Sequence, residues 1–235
     1  MRQRWAGAAI GGLAALHIGV AATWLPAVRR LTPRLAGLGR VDHLALTFDD
    51  GPAAASTPRF LDALDRAGVR ATFFLVGSQL AANPALGREI AAAGHEVAVH
   101  GYQHRYLLGR PPHRVRDDLA RARDLIAEVT GTVPTYFRPP YGVLTGDGAV
   151  IARRLGLRTV IWTSWGRDWT AAATPQSVYR TLDIRGGGTL LLHDADAFAA
   201  PGAWRATLGA LPRILDRAAE QGLTVGPLRA HGISR

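Results

Sequence analysis

The chain is expected to fold as an α/β protein, with a mostly parallel sheet of about seven strands that comes close to closing a barrel, preceded by a membrane-crossing helix. Short apolar runs recur along most of its length. Amphipathic stretches with helix start and stop signals lie between them, and strands that alternate with helices make βα units. The 21 residues from Trp5 to Leu25 carry no formal charge, about the length that spans a hydrocarbon core of roughly 30 Å.

The N-terminal run is rich in alanine and glycine, has His17 near its middle and ends at Pro26. Arg2 and Arg4 precede it, and Arg29, Arg30, Arg34 and Arg40 follow. A cleaved secretory signal would have its small-residue site at Val20-Ala21-Ala22, but the run exceeds the usual apolar core of about 7–15 residues. An uncleaved anchor over residues 1–30 is therefore the expectation. The heavier arginine load downstream argues for a cytoplasmic domain by the positive-inside tendency, but the expected placement is extracytoplasmic. Residues 31–42 are then a linker, 43–228 the main domain and 229–235 a tail.

After Arg40 the strand candidates are His43–Phe48, Ala71–Val76, Glu96–Val99, Tyr136–Phe137, Thr159–Trp162, Thr189–Leu192 and Leu223–Val225. Thr57-Pro58 opens a helix that stops before Gly68, and Asn83-Pro84 opens one that stops before Gly94. A longer helix over Arg114–Thr130 stops at Gly131, and Thr174-Pro175 opens a further one. In barrels of this kind the reactive residues sit at the C-terminal ends of the strands.

Composition narrows the chemistry. Hydrophobic residues make up 48% of the chain and charged residues 20%, so it is a folded globular protein. The net charge of +10 comes from arginine alone, with no lysine, and no nucleic-acid reader motif or dense basic face with interleaved aromatics accompanies it. No nucleic-acid partner is expected. With zero cysteines, a metal has to be held by His, Asp or Glu.

Five motifs follow strand candidates. Thr47-Phe48-Asp49-Asp50-Gly51-Pro52 puts two adjacent carboxylates before a turn, which is either an exposed turn or, if buried, a pair that needs partners. His100-Gly101-Tyr102-Gln103-His104 places two histidines four apart, on one face if the segment is helical. With Asp50 they make a two-histidine, one-carboxylate set suited to Zn²⁺ or Fe²⁺. Arg138-Pro139-Pro140-Tyr141-Gly142 is rigid, and it holds the Tyr141 amide in place. Trp165-Gly166-Arg167-Asp168-Trp169 and Leu191-Leu192-His193-Asp194 complete the set.

These five segments, in this order over roughly His43 to Gly226, resemble the NodB-type polysaccharide deacetylases, the family-four carbohydrate esterases. The resemblance implies a distorted (β/α) barrel and removal of N-acetyl groups from N-acetylglucosamine-type units of a polysaccharide such as peptidoglycan. It implies Asp49 as general base and Arg138 as its orienter, Asp50, His100 and His104 as ligands of one divalent cation, and His193 as general acid tuned by Asp168. Tyr141 would supply an oxyanion contact, and Trp169 and Leu191 the pocket for the acetyl methyl. Zn²⁺ is the first expectation for the metal, with Co²⁺, Ni²⁺, Fe²⁺ or Mn²⁺ as alternatives. Hydrolysis of an O-acetyl glycan or a small amide uses the same groups, and a non-catalytic glycan binder would be expected to lack one of them.

Two positions depart from the family pattern. Gly101 stands where Ser or Thr is usual, which removes a supporting hydrogen bond and alters the expected metal affinity. Trp165 stands where a second Asp is common. Tyr106, Phe198 and Trp204 are candidate rim aromatics for sugar stacking, or else ordinary packing at loop bases.

Overall fold

The structure, a computed structural model, describes residues 31–233. The expected anchor, residues 1–30, lies outside them, and among the described residues no helix is long and apolar enough to cross a membrane.

Eight strands form one sheet in which every pairing is parallel. They are β1 (His43–Asp49), β2 (Thr72–Leu75), β3 (Glu96–Val99), β4 (Tyr136–Phe137), β5 (Arg158–Thr159), β6 (Ser164–Trp165), β7 (Thr189–His193) and β8 (Thr224–Gly226). The order is β5-β4-β3-β2-β1-β7-β6, with β8 beside the start of β1. β5 and β6 adjoin in sequence yet form the two edges, so the barrel stays open between them.

One expected strand is corrected here. Of the apolar run Thr159–Trp162 only Thr159 lies in a strand, as the end of β5, and residues 160–162 cross that opening. Val160, Ile161 and Trp162 are buried, but the Ile161 amide donates to the Leu35 carbonyl at 2.8 Å and the Ile161 carbonyl accepts from Arg138. The Val160 amide still donates to the Phe137 carbonyl at 2.9 Å, and beyond it the chain is apolar through burial and not through sheet pairing.

The helices among the described residues are α1 (Thr57–Arg66), α2 (Gly77–Ala82), α3 (Pro84–Ala92), α4 (Pro112–Thr130), α5 (Gly146–Arg154), α6 (Pro175–Thr181) and α7 (Trp204–Glu220). Proline in the first turn opens α1, α3, α4 and α6. At α6 the Thr174 and Ser177 side chains each accept from the other's backbone amide, a capping box. α4 ends where Gly131 turns left-handed at φ 69°.

Strand periodicity decides which side chains reach the site, because successive residues point to opposite faces. In β1, Leu44, Leu46 and Phe48 pack outward under the helices, with the Phe48 ring 5.2 Å from both Phe60 and Phe73. Ala45 belongs to the separate inner cluster with Phe74, Ala98 and Tyr136. Two further steps of the same phase bring Thr47 and Asp49 inward. Ala98 leads in this way to His100, Tyr136 to Arg138 and Leu191 to His193, so four chemically active side chains share the interior at the C-terminal ends of their strands.

The opposite end is closed by Leu35–Arg40 and the C-terminal turn. Thr189 Oγ1 donates to the Gly37 carbonyl, and the Arg40 amide donates to the His231 carbonyl. His231 Nε2 faces the carbonyls of Gly37 and Gly187, so it must donate, and its Nδ1 then accepts from His43 Nδ1 at 2.9 Å. His231 is therefore neutral, and burial disfavours a charge on His43. Burial and the neighbouring His231 push His43 down to about 4, and burial with Arg70 does the same to His95. Groups whose folded values lie below the unfolded value of about 6.5 favour folding above that pH and lose the contribution as pH falls toward 4. These two groups alone are expected to lower the melting temperature by roughly 5 °C or more between pH 6.5 and 4, while Asp50 and Asp194, raised by burial to about 7, act in the opposite direction over that range. A pH dependence of the melting temperature, followed by calorimetry, that is the same in His95→Gln as in wild type would contradict the neutral assignment of His95.

Candidate active site

A cavity of about 340 Å³ opens at the C-terminal ends of the strands, and Asp49, Asp50, His100, His104, Tyr141, Trp169, Leu191 and His193 line it. At the end of β1 the chain turns through Asp50, at φ 79°, and both carboxylates are buried. Neither is the exposed turn that a single motif would allow.

Asp49 Oδ1 accepts from Arg138 at 2.7 Å. The same guanidinium nitrogen donates to Thr47 Oγ1, and the other terminal nitrogen donates to the Ile161 carbonyl, both at 2.8 Å. The guanidinium also lies 4.0 Å from the centre of the Phe74 ring. Burial raises Asp49 above the usual carboxylate range while Arg138 and His193 oppose that rise. Asp49 is therefore a carboxylate made more basic but held in place.

His100 Nδ1 donates to the Arg138 carbonyl at 2.8 Å, which turns its Nε2 toward Asp50. The Nε2 atoms of His100 and His104 lie 3.5 and 3.4 Å from Asp50 Oδ1. Burial pushes both imidazoles down to about 3, so both are neutral. Burial, with Asp49, Asp194 and Asp168 nearby, pushes Asp50 up to about 7 against the opposing effect of His193. Asp50 Oδ1 is buried and has no hydrogen-bond partner among the described residues. Lone-pair atoms that converge at 3.4–3.5 Å with no hydrogen bond between them fit a cation. Among the described residues this is the one group of three His, Cys, Asp or Glu with metal-binding spacing.

The two histidines do not share a helical face as the four-residue spacing suggested. Residues 100–104 bend irregularly, with Gly101 at φ 83°, a region that disfavours a side chain. A Cβ there would also sit 3.1 Å from Asp118 Oδ2. The path of the loop, not a lost hydroxyl alone, accounts for glycine at this position.

Across the cavity, His193 Nδ1 donates to Asp168 Oδ1 at 2.8 Å. Asp168 Oδ2 accepts from the His193 amide at 2.8 Å and from Thr207 Oγ1, on α7, at 2.6 Å. Burial alone would lower His193, but Asp168 and then the Asp50 and Asp49 carboxylates raise it to about 10. His193 is thus an imidazolium whose Nε2 faces the cavity, 3.9 Å from Asp50 Oδ2.

The walls are aromatic. Trp165 stacks on Trp169 at 4.2 Å, and Tyr106 stacks on Tyr141 at 4.0 Å. Phe198 stacks on His104 at 4.2 Å. Tyr106 and Phe198 line the cavity, as does Trp162, which the sequence reading passed over. Trp204 does not: it begins α7 and is buried in the core. Thr207 and Asp118 were also missed, since nothing local in the sequence ties either to the site.

A buried carboxylate–arginine pair, a cation-type cluster and a histidine–aspartate pair around one cavity on the C-terminal rim of a parallel sheet define a hydrolase-type centre. The chain belongs to the polysaccharide deacetylase family, whose profile matches residues 39–160. A chitooligosaccharide deacetylase from Bradyrhizobium is 39% identical over 151 residues, covering 63% of this chain and 69% of that one. The peptidoglycan-N-acetylglucosamine deacetylase PgdA of Listeria monocytogenes is 33% identical over 156 residues, 65% of this chain, and the match spans only 32% of PgdA. Among solved structures, a peptidoglycan N-acetylglucosamine deacetylase bound to 4-naphthalen-1-yl-N-oxidanyl-benzamide superposes with a TM-score of 0.81 at 25% identity, covering 90% of this chain and 99% of that one. A family 4 carbohydrate esterase from Streptomyces lividans in complex with acetate gives 0.71 at 33%, covering 80% and 93%.

Proposed function

We propose that the chain hydrolyses the acetamide of N-acetylglucosamine-type units in a polymer, peptidoglycan or a chitin-like glycan. The observation that carries this reading is the pairing across one cavity of a basic, immobilised Asp49 with an imidazolium His193. A Bacillus anthracis relative described as a family pseudoenzyme has the same fold, with a TM-score of 0.72 at 26% identity, so fold alone does not establish activity. This chain keeps the base, the acid and the cluster of Asp50, His100 and His104.

A divalent cation held by those three residues, Zn²⁺ first and Co²⁺, Ni²⁺, Fe²⁺ or Mn²⁺ as alternatives, would polarise the acetamide carbonyl and acidify a water. The N-hydroxyamide on the solved relative belongs to a class of chelators, which supports a metal here. Asp49 takes the proton of the attacking water as the C–O bond forms, and Arg138 keeps its carboxylate aimed. The Tyr141 amide, in a residue that lines the cavity, is assigned to the developing oxyanion. His193 then gives its Nε2 proton to the amine nitrogen as the C–N bond breaks, leaving acetate and a free amino sugar. Trp169 and Leu191 enclose the methyl.

Acetate release from peptidoglycan, chitin oligomers and acetylated xylan, with metal added, tests the substrate class. Release from the two N-acetylated glycans is expected, and release from xylan alone would show an O-acetyl esterase instead. Residues 1–30 we assign to a membrane anchor from the charge-free run Trp5 to Leu25, and the domain to the outside of the cytoplasm because a polymeric N-acetylated glycan lies there. A C-terminal reporter active only outside the membrane, silent in intact cells, would refute that placement.

A further inference from the structure

The two imidazoles of the cation cluster are supported differently. His100 is oriented by its Nδ1 bond to the Arg138 carbonyl. His104 Nδ1 is buried and has no hydrogen-bond partner among the described residues. A metal-ligating histidine almost always donates its second ring nitrogen to a partner that fixes the ring. His104 lacks one, so its direction is left to the backbone that carries it and to the flanking rings of Tyr141 and Phe198.

That backbone is held from two sides. The amides of Gly77 and Ser78, at the start of α2, donate to the carbonyls of Gly101 and Tyr102, both at 2.9 Å. From α4, the Asp118 carboxylate accepts from the Tyr102 amide at 2.9 Å and from the Gln103 amide at 3.3 Å. It also receives Arg110, from the segment after His104, at 3.5 Å. Its side chain is only 8% exposed. Gly101 allows this approach, since a side chain there would crowd the carboxylate. One turn along α4, the Arg121 guanidinium lies 3.6 Å from the centre of the Tyr102 ring.

We propose that Asp118 is the positioning residue of this metal site: by holding the Tyr102 and Gln103 amides it sets His104, and so does through the loop what a hydrogen bond on the imidazole does elsewhere. The inference rests on the metal reading of Asp50, His100 and His104. Charged acceptors bind amides more strongly than neutral ones, and an amide side chain at 118 would turn one acceptor into a donor facing an N–H.

The test is titration of the metal-free full-length chain with Co²⁺ alone, following its visible absorption and the bound stoichiometry. Wild type and Asp117→Ala, an exposed neighbour, are expected to bind one ion with equal affinity. Asp118→Asn and Asp118→Ala are expected to weaken Kd about 10–100-fold with a changed Co²⁺ spectrum, and Asp118→Glu to recover part of the loss. Thermal melts of the metal-free proteins identify which variants are folded, and Asp118→Asn carries the test if the alanine variant is not. A folded Asp118→Asn with Kd and spectrum within twofold of wild type would overturn the proposal. His100→Ala separates the two readings: if it binds Co²⁺ as wild type does, the metal site itself is misassigned, whereas loss of binding there with unchanged Asp118 variants refutes the positioning role alone.

Discussion

Replacing Asp49 by asparagine is expected to lower kcat by about 10²–10⁴, the usual range for losing a positioned general base. Asparagine has nearly the shape of aspartate, and its carbonyl can still accept from Arg138. It cannot take a proton from water. The ligand cluster is untouched, so bound metal should stay at the wild-type level. A second effect comes from the partner left behind. Arg138 is fully buried, and removing the charge opposite a buried ion destabilises by roughly 3–5 kcal/mol when nothing else compensates. Thr47 and the Ile161 carbonyl remain as partners for Arg138, so the melting temperature should fall without loss of the fold. Steady-state kinetics with metal analysis on the same preparation would check both points. Near-wild-type turnover in a metal-loaded Asp49→Asn protein would remove Asp49 from the mechanism.

The largest effect on the other half of the reaction is expected at His193. His193→Ala should reduce turnover by a similar factor of about 10²–10⁴, because an amine leaves poorly without a proton. Asp168→Asn offers a finer test. Burial works against the imidazolium, and the Asp168 carboxylate is the main influence that raises His193 to about 10. The acid is active in its protonated form, so activity is lost as pH rises through that value. Removing the Asp168 charge lowers the value and moves the alkaline limb of kcat/KM to lower pH. A bound cation draws the limb downward in both proteins alike, so the comparison is made at one metal loading. An alkaline limb at the same pH in wild type and Asp168→Asn would mean that another group is the acid.

Much of the site was legible because its residues sit in short local motifs. Asp49 and Asp50 end the buried run of β1, and His193 ends that of β7, so apolar pattern and chemistry fell in adjacent positions. The period of two within each strand carried further information. Ala45, Ala98, Tyr136 and Leu191 share the inward phase of the four active side chains, and small or broad inward residues amid aliphatic outward ones are visible in the sequence. The edges of the sheet were less legible. β4, β5 and β6 are two residues long, and the apolar stretch between β5 and β6 is buried for packing across the opening of the barrel, so hydrophobicity alone read it as a strand. Phe198 and Trp204 are six residues apart and equally aromatic, yet one lines the cavity and the other lies in the core. Nothing short of the course of the loop distinguishes them. Asp118 and Thr207 act on His104 and Asp168 across separations that no local motif records.

The central claim is that Asp50, His100 and His104 hold one cation without which the Asp49–His193 pair does not hydrolyse an acetamide. Its most direct test is acetate release from a chitin oligomer by chelator-treated protein as Zn²⁺ is added back. The account predicts no release at the start and a rise that levels off at one equivalent per chain, with His100→Ala silent throughout. Full activity in the chelated protein would contradict it.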